Sequence, residues 1–299
     1  MALVALAVVA LAAGVTGAVL GQATSSPATA QPGTVNPGTA QPAGQPRGAQ
    51  PAAAALGTSA AARATAAQWI AGQVAAGAVV ACDPAMCAAL QADGIAATRL
   101  VMLGTAAADP LGSDLVVVTA AVRDQFGARL ESVYAPALVA SFGSGTGRID
   151  VRAVAPDGTA AYRSAAAADR RGRIAAGGQL LRNPRLTVAP AAQAALRAGD
   201  VDPRLLILLA ALAGQEPTRV SSFGDPAPGA VAGVPLRSAV IAPRAAGSPA
   251  AGAAGLRSML AFINAQRPPY LALHASLDGR SALTVEYAAP SPVGLLSGS

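Results

Sequence analysis

Lysine is missing altogether: all 21 basic residues are arginine, and with 15 acidic residues the charged fraction is only 12%. An all-arginine set reads first as the codon bias of a GC-rich genome. The net charge of +6 still permits attraction to polyanions, because a basic surface concentrates acidic partners around it. Nucleic acid is a poor match: the arginines are scattered, only Arg170, Arg171 and Arg173 cluster, and the aromatic residues that would stack on bases make up 3% of the chain. Outside a cell, an anionic cell-wall polymer, lipid head groups or another envelope protein are the expected counter-surfaces. The poverty of aromatics also means that the core is built from Val, Leu, Ile and Ala, which favours closely packed elements.

Histidine and cysteine are nearly absent too, with one His and two Cys. A metal site needs three or four ligands, and His274 is far along the chain from Cys82 and Cys87, so no metal and no cofactor is expected. A nucleophilic Ser141 or Ser144 would have only His274 to serve as its base. Gly143-Ser144-Gly145 also lacks the order of a nucleophile elbow, since it reads Phe-Gly-Ser-Gly-Thr. The carboxylates Asp109 and Asp114 flank Pro-Leu-Gly-Ser and read as loop caps before a strand rather than as a glycosidase pair. No catalytic residue is assigned.

What the chain does have begins with an uncharged apolar run, Ala2 to Gly21. About twenty residues at helical rise span roughly 30 Å, so residues 1–21 read as a single-pass transmembrane anchor with the rest of the chain extracytoplasmic, at the cell membrane. A cleaved signal peptide is the competing reading, with Ala28-Thr29-Ala30 as its small-x-small cleavage site. Residues 22–59, rich in Ala, Pro, Gln and Thr with Arg47 as the one charge, have too little apolar surface to offset their ordering entropy and read as an extended linker.

Beyond it, short apolar runs alternate with helical stretches. Strands are expected at 78–81, 100–103, 114–119, 137–142 and 148–154, and helices at 61–70, 84–92, 120–134, 158–182 and 203–213. This pattern predicts an α/β fold: a mostly parallel sheet with helices on both faces. The run Leu205 to Leu212 is too short to span a membrane. An internal echo, Val139-Ala140-Ser141-Phe142-Gly143-Ser144 against Val220-Ser221-Ser222-Phe223-Gly224-Asp225, suggests two related α/β halves, residues 60–157 and 158–299. A linker-like loop from Ala242 to Gly255, a last helix over 256–265 and a hairpin, 270–276 with 282–287 across Asp278-Gly279, close the chain.

Cys82 and Cys87 bracket Asp83-Pro84, which marks a helix start with a side-chain acceptor at the cap and proline at the first helical position. The two cysteines then occupy the positions that a hydrophobic staple brings together, and a disulfide suits them in an oxidising compartment, with two buried free thiols as the alternative. C-x4-C spacing does not fit thioredoxin-like exchange.

Any functional surface is expected at the loops after the C-terminal strand ends, where open α/β sheets bind ligands. The candidates are Asp83 at a helix start, Thr119 at the end of the Val-rich strand, and Ser144 in the Gly-rich turn, with Arg123 and Arg148 supplying charge for a phosphate or carboxylate. The plainer reading of the turn at Phe142-Gly143-Ser144-Gly145 is a tight connection into the strand at Arg148.

Trp69-Ile70, the strand ending at Asp83, Asp109-Pro110, Ser113-Asp114-Leu115-Val116-Val117-Val118-Thr119, Val122-Arg123, Val139 to Gly145 and Arg148-Ile149-Asp150-Val151-Arg152 form a set in a recognisable order. Across residues 68–155 the chain resembles the soluble extracytoplasmic domain that follows the membrane helices in some actinobacterial glycosyltransferase-like proteins, and stand-alone anchored actinobacterial proteins of unknown function. The resemblance implies an α/β domain at the cell envelope. It carries no transferase activity across, because the multi-span catalytic unit is absent, and it implies an accessory or sensing module. The resulting expectation is a membrane-anchored binding or accessory protein, with a wall-glycan or polymer-modifying enzyme as the alternative.

Overall fold

The computed structural model describes residues 49–104, 109–244, 249–279 and 281–296, with side chains from Ser59 onward. The expected anchor, residues 1–21, and most of the expected linker lie outside them. Among the described residues no helix is long and apolar enough to cross a membrane.

The first described element, α1, runs Ala49–Gln73, so the helix starts ten residues inside the stretch expected to be linker. The reason is local: Ala52 to Leu56 is the strongest helix-forming stretch of that segment and carries the helix backward from Ala60. There follow β1 (Val80–Cys82), α2 (Pro84–Ala92), β2 (Leu100–Met102), β3 (Leu115–Val118), α3 (Ala120–Phe126), β4 (Ala137–Phe142) and β5 (Ile149–Ala153). These five strands form one sheet in the order β2-β1-β3-β5-β4. β1 is parallel to β2 and β3, whereas β5 runs antiparallel between β3 and β4.

The second sheet is built from β6 (Leu186–Val188), β7 (Thr218–Gly224), β8 (Ser238–Pro243), β9 (His274–Asp278) and β10 (Ala282–Glu286). Its order is β6-β7-β8-β10-β9, and its helices are α4 (Thr159–Arg182), α5 (Pro190–Ala198), α6 (Pro203–Gln215) and α7 (Pro249–Asn264). Only β6 and β7 are parallel there; the other three ladders are antiparallel. The fold is α/β with two mixed sheets, and the C-terminal hairpin is β9–β10. The first turns of α7, residues 249–255, fall inside the stretch expected to be a loop, because Ala250, Ala251, Ala253 and Ala254 extend the helix expected over 256–265 backward.

The two sheets are covered differently. β3 reads Leu-Val-Val-Val because both of its faces are buried. Leu115 and Val117 join Trp69 and Ile70 of α1 and Met86 and Leu90 of α2 on one side, and Val116 and Val118 join Val122, Leu130 and Tyr134 on the other. In the second sheet the core-facing residues Val188, Val220, Ile241, Leu283 and Val285 pack against all four helices in a single cluster. Among the described residues the opposite face of this sheet carries no helix, and it presents Thr187, Arg219, Ser222, Ser276 and His274 to solvent.

Helix α4 lies close against α5: an added Cβ on Gly177 would stand 2.3 Å from the Leu196 carbonyl oxygen. The helix expected over 120–134 is two pieces, because Gly127 takes a left-handed φ of 54° and the chain re-enters as a π-helical turn over Leu130–Tyr134. Both copies of the echo lie on strands with a one-residue bulge that pair antiparallel with the next strand. One copy is on β4 at a sheet edge and the other on β7 inside a sheet, so they hold different places in the two sheets.

Arg237 ties α1 to the second sheet. Fully buried, it pairs with Asp225 at 2.9 Å, donates to the Tyr287 carbonyl at 2.8 Å and to Gln73 Oε1 at 3.1 Å, and lies over the Trp69 ring. Just after Gln73, Val74 forms an isolated bridge with Ala289.

Candidate functional site

Where β1 ends, Asp83 caps α2: its Oδ1 accepts from the backbone N–H of Ala85 at 2.9 Å and Met86 at 3.0 Å. Cys82 and Cys87 are joined by a disulfide with Cα atoms 5.4 Å apart, a covalent form of the staple across the same first turn. Where β3 ends, Thr119 occupies the N-cap of α3 and its hydroxyl donates a short hydrogen bond to Asp83 Oδ2. The two helix starts are therefore braced against each other through a buried carboxylate whose two oxygens accept three hydrogen bonds.

β1, β2, β3 and β4 all point the same way, which puts the ends at Asp83, Leu103, Thr119 and Ser144 on one edge of the first sheet. They do not line one cleft. Asp83 opens onto a cavity of about 900 Å³ together with Leu103, Gly104, Gln125, Phe126, Arg129 and Tyr134. Ser144 lies on a separate cavity of about 430 Å³ between α1 and the β4–β5 turn. Arg123 closes the space between them: its guanidinium donates to the carbonyls of Val118 (3.0 Å), Thr146 (3.2 Å) and Arg148 (2.7 Å). Arg148 is paired with buried Asp150 at 2.9 Å, and Ser141 donates to the same carboxylate at 2.6 Å. Both arginines thus stabilise the turn into β5, the plainer of the two readings of that segment. Asp109 accepts from the Leu111 amide at 3.0 Å, capping a 3-10 turn, and Asp114 accepts from Val79 N–H at 2.8 Å, bracing β1 against β3.

The larger cavity is walled by residues that no sequence motif marks. Phe126 and Tyr134 meet edge to face with centroids 5.7 Å apart, and Arg129 both donates to the Tyr134 hydroxyl at 2.8 Å and lies 5.4 Å from its ring centroid. Gln125 reaches from α3 to the Gly104 carbonyl at 2.8 Å and fixes the end of β2. An aromatic corner bearing a solvent-exposed guanidinium suits a ligand with a flat or apolar face and an acceptor group at its rim. The sequence signal was there in Phe126, Arg129 and Tyr134, but only the break at Gly127 and the π-helical turn bring the three together.

Comparison with known protein families, with curated proteins and with solved structures finds no match to this chain.

Proposed function

We propose that this chain is a membrane-anchored, extracytoplasmic binding or accessory protein of the cell envelope, taking a small ligand in the cavity at the strand ends of the first sheet. The observation that carries the reading is the cavity wall. Its buried carboxylate, Asp83, is occupied by hydrogen bonds that hold two helices in place, while its exposed groups, Arg129 beside Phe126 and Tyr134, are of the kind that recognise rather than transform. The Cys82–Cys87 disulfide supports placement outside the cytoplasm, since such bonds persist in oxidising compartments. The apolar run at 2–21 supports the anchor.

The alternative, a wall-glycan-modifying enzyme, draws on Asp109, which lines the same cavity as Asp83 and is exposed. Titration calorimetry with N-acetylated disaccharide-peptide fragments of the wall, together with chromatography of the same mixtures after long incubation, separates the two. Saturable binding that is lost in Arg129→Ala, with fragments recovered intact, supports the binding reading. Cleaved or transferred fragments whose formation stops in Asp109→Asn support the enzyme, and binding unaffected by Arg129→Ala rejects this cavity as the site.

A further inference from the structure

The helix-free face of the second sheet holds a feature that the cavity does not use. Along β6 the residues facing the core are Leu186 and Val188, so Arg185 and Thr187 face outward. In β7 the outward residue beside Thr187 is Arg219, which is in register with both Thr187 and Ala242. Beyond the end of β8, Arg244 continues the outward row of Val240 and Ala242, and its backbone N–H donates to the Pro217 carbonyl at 2.7 Å. Arg185 and Arg244 therefore flank Pro217 in one row, and Arg219 sits in the next. With strands about 4.8 Å apart and same-face neighbours roughly 6.7 Å apart along a strand, three guanidinium-bearing side chains rise from a patch on the order of 10 Å across.

The Arg244 side chain follows this placement. Arg244 reaches across β7 to the Pro184 carbonyl at 3.1 Å and approaches the Thr187 hydroxyl at 3.4 Å, the group next to Arg219. Arg185 donates to the Gln215 carbonyl at 2.7 Å, and the exposed Arg219 side chain makes no hydrogen bond or ion pair among the described residues. Among the described residues the arginines in ion pairs are Arg148, Arg152, Arg173, Arg204 and Arg237, none of them from this corner. The adjacent Glu216 points the other way, since a Cβ on Gly255 of α7 would meet its Oε2 at 2.9 Å. Of the acidic residues on the outward face, Asp278 on β9 is separated from β8 by β10, and Glu286 on β10 pairs with Ser238 at the opposite end of β8 from Arg244. Like charges placed side by side on a sheet oppose one another, and an external anion relieves that repulsion.

From this corner the outward face continues as a row of hydroxyls: Ser222 pairs with Val240, Val240 with Thr284, and Thr284 with Ser276. We propose that Arg185, Arg219 and Arg244, with Thr187, form an anion site for a phosphodiester-linked polyol or glycan polymer. Its phosphates occupy the guanidinium corner and its hydroxyls lie along the Ser222–Thr284–Ser276 row. The site is on the other sheet from the proposed ligand cavity and does not depend on it.

The test is surface plasmon resonance on the full-length chain held through its C-terminus, at physiological salt, with three probes: glycerol-phosphate oligomers, neutral dextran of matched length, and phosphatidylglycerol vesicles. Oligomer binding without dextran binding is expected, weakened at least about tenfold in Arg219→Gln and further in the Arg219→Gln/Arg244→Gln pair, and falling as salt rises. Arg219→Gln removes no internal bond, so its thermal unfolding should match the parent, which keeps loss of binding distinct from loss of fold. Equal oligomer affinity in parent and Arg219→Gln, no oligomer binding at all, or vesicle binding without oligomer binding each overturns the proposal. Arg129→Ala leaves this binding unchanged, so failure of the cavity reading is seen separately.

Discussion

The contact between Asp83 and Thr119 makes a quantitative claim about how the first sheet holds its two helix starts. Asp83→Ala removes the acceptor for two N-terminal amides of α2, a loss of about 0.5–2 kcal/mol for an N-cap, and a hydroxyl hydrogen bond to a carboxylate, about 1.5–3 kcal/mol. The sum is about 2–5 kcal/mol. Thr119→Ala loses the same shared bond plus the weaker cap on Val122 N–H, 3.5 Å from the hydroxyl oxygen. The double variant should therefore be less destabilised than the two singles added together, with a coupling of about 1.5–3 kcal/mol. Urea unfolding can be followed through Trp69, the one tryptophan, which is buried in the core against Phe142. A coupling below about 0.5 kcal/mol, the level of additive sites, refutes the brace. Asp83→Asn tests it from the other side: the retained cap acceptor should hold α2 while the bond from Thr119 weakens, giving a loss between parent and Asp83→Ala.

Three further outcomes follow from the fold. The disulfide closes a loop from Cys82 to Cys87, for which loop entropy gives about 2 kcal/mol; Cys82→Ala/Cys87→Ala should lower Tm by several degrees, and an unchanged Tm in calorimetry would show that the crosslink contributes nothing. Gly177→Ala drives a methyl group into the Leu196 carbonyl, so α4 and α5 must separate, with a loss of about 1–3 kcal/mol by chemical denaturation; a neutral result would mean the helices are not in contact there. Tyr162 and Tyr287 have pKa values raised above the ordinary 10, both chiefly by burial, with Asp169 adding to it at Tyr162 and Asp202 at Tyr287 against the opposing Arg173 and Arg204. A raised folded pKa gives stability that is intact below pH 10 and is lost as pH climbs through the folded values. Absorbance titration at 295 nm of the parent against Tyr162→Phe and Tyr287→Phe should show each removed tyrosine as ionising above the ordinary range in the folded chain, and an ordinary titration for either would contradict its burial.

Much of this architecture could be read from the chain because its signals are local. Asp83-Pro84 announces a helix start by its own chemistry, and the apolar run at 115–118 announces a strand buried on both faces. The segment at 186–198 was not legible: β6 is three residues long, and Ala189, at the N-cap of α5, has no side chain able to accept a hydrogen bond. Strand polarity was beyond reach for a different reason, since nothing near Ile149 tells β5 to run antiparallel between β3 and β4. The candidate site shows the same division. Asp83 and Thr119 were found as strand-end residues, but the bond joining them is a contact between positions 36 apart. Arg123 and Arg148 looked like charge available to a ligand, and only their partners, three carbonyl oxygens and Asp150, reveal that it serves the turn.

The buried guanidinium of Arg237 also decides how the fold would respond to force. Everything on the N-terminal side of the chain enters through α1, and the clamp to Gln73, with the Val74–Ala289 bridge just beyond, sits at the far end of that helix. Tension applied from the N-terminal side would first peel the alanine-rich turns of α1 away from the core, one after another, in the easy direction of a zipper. The clamp would meet the load last, after about 25 residues of helix had been drawn out. Such a helix is a shock absorber: it yields in small steps until the load reaches Trp69 and Ile70, packed on β3, and Arg237 sets the point at which the yielding stops.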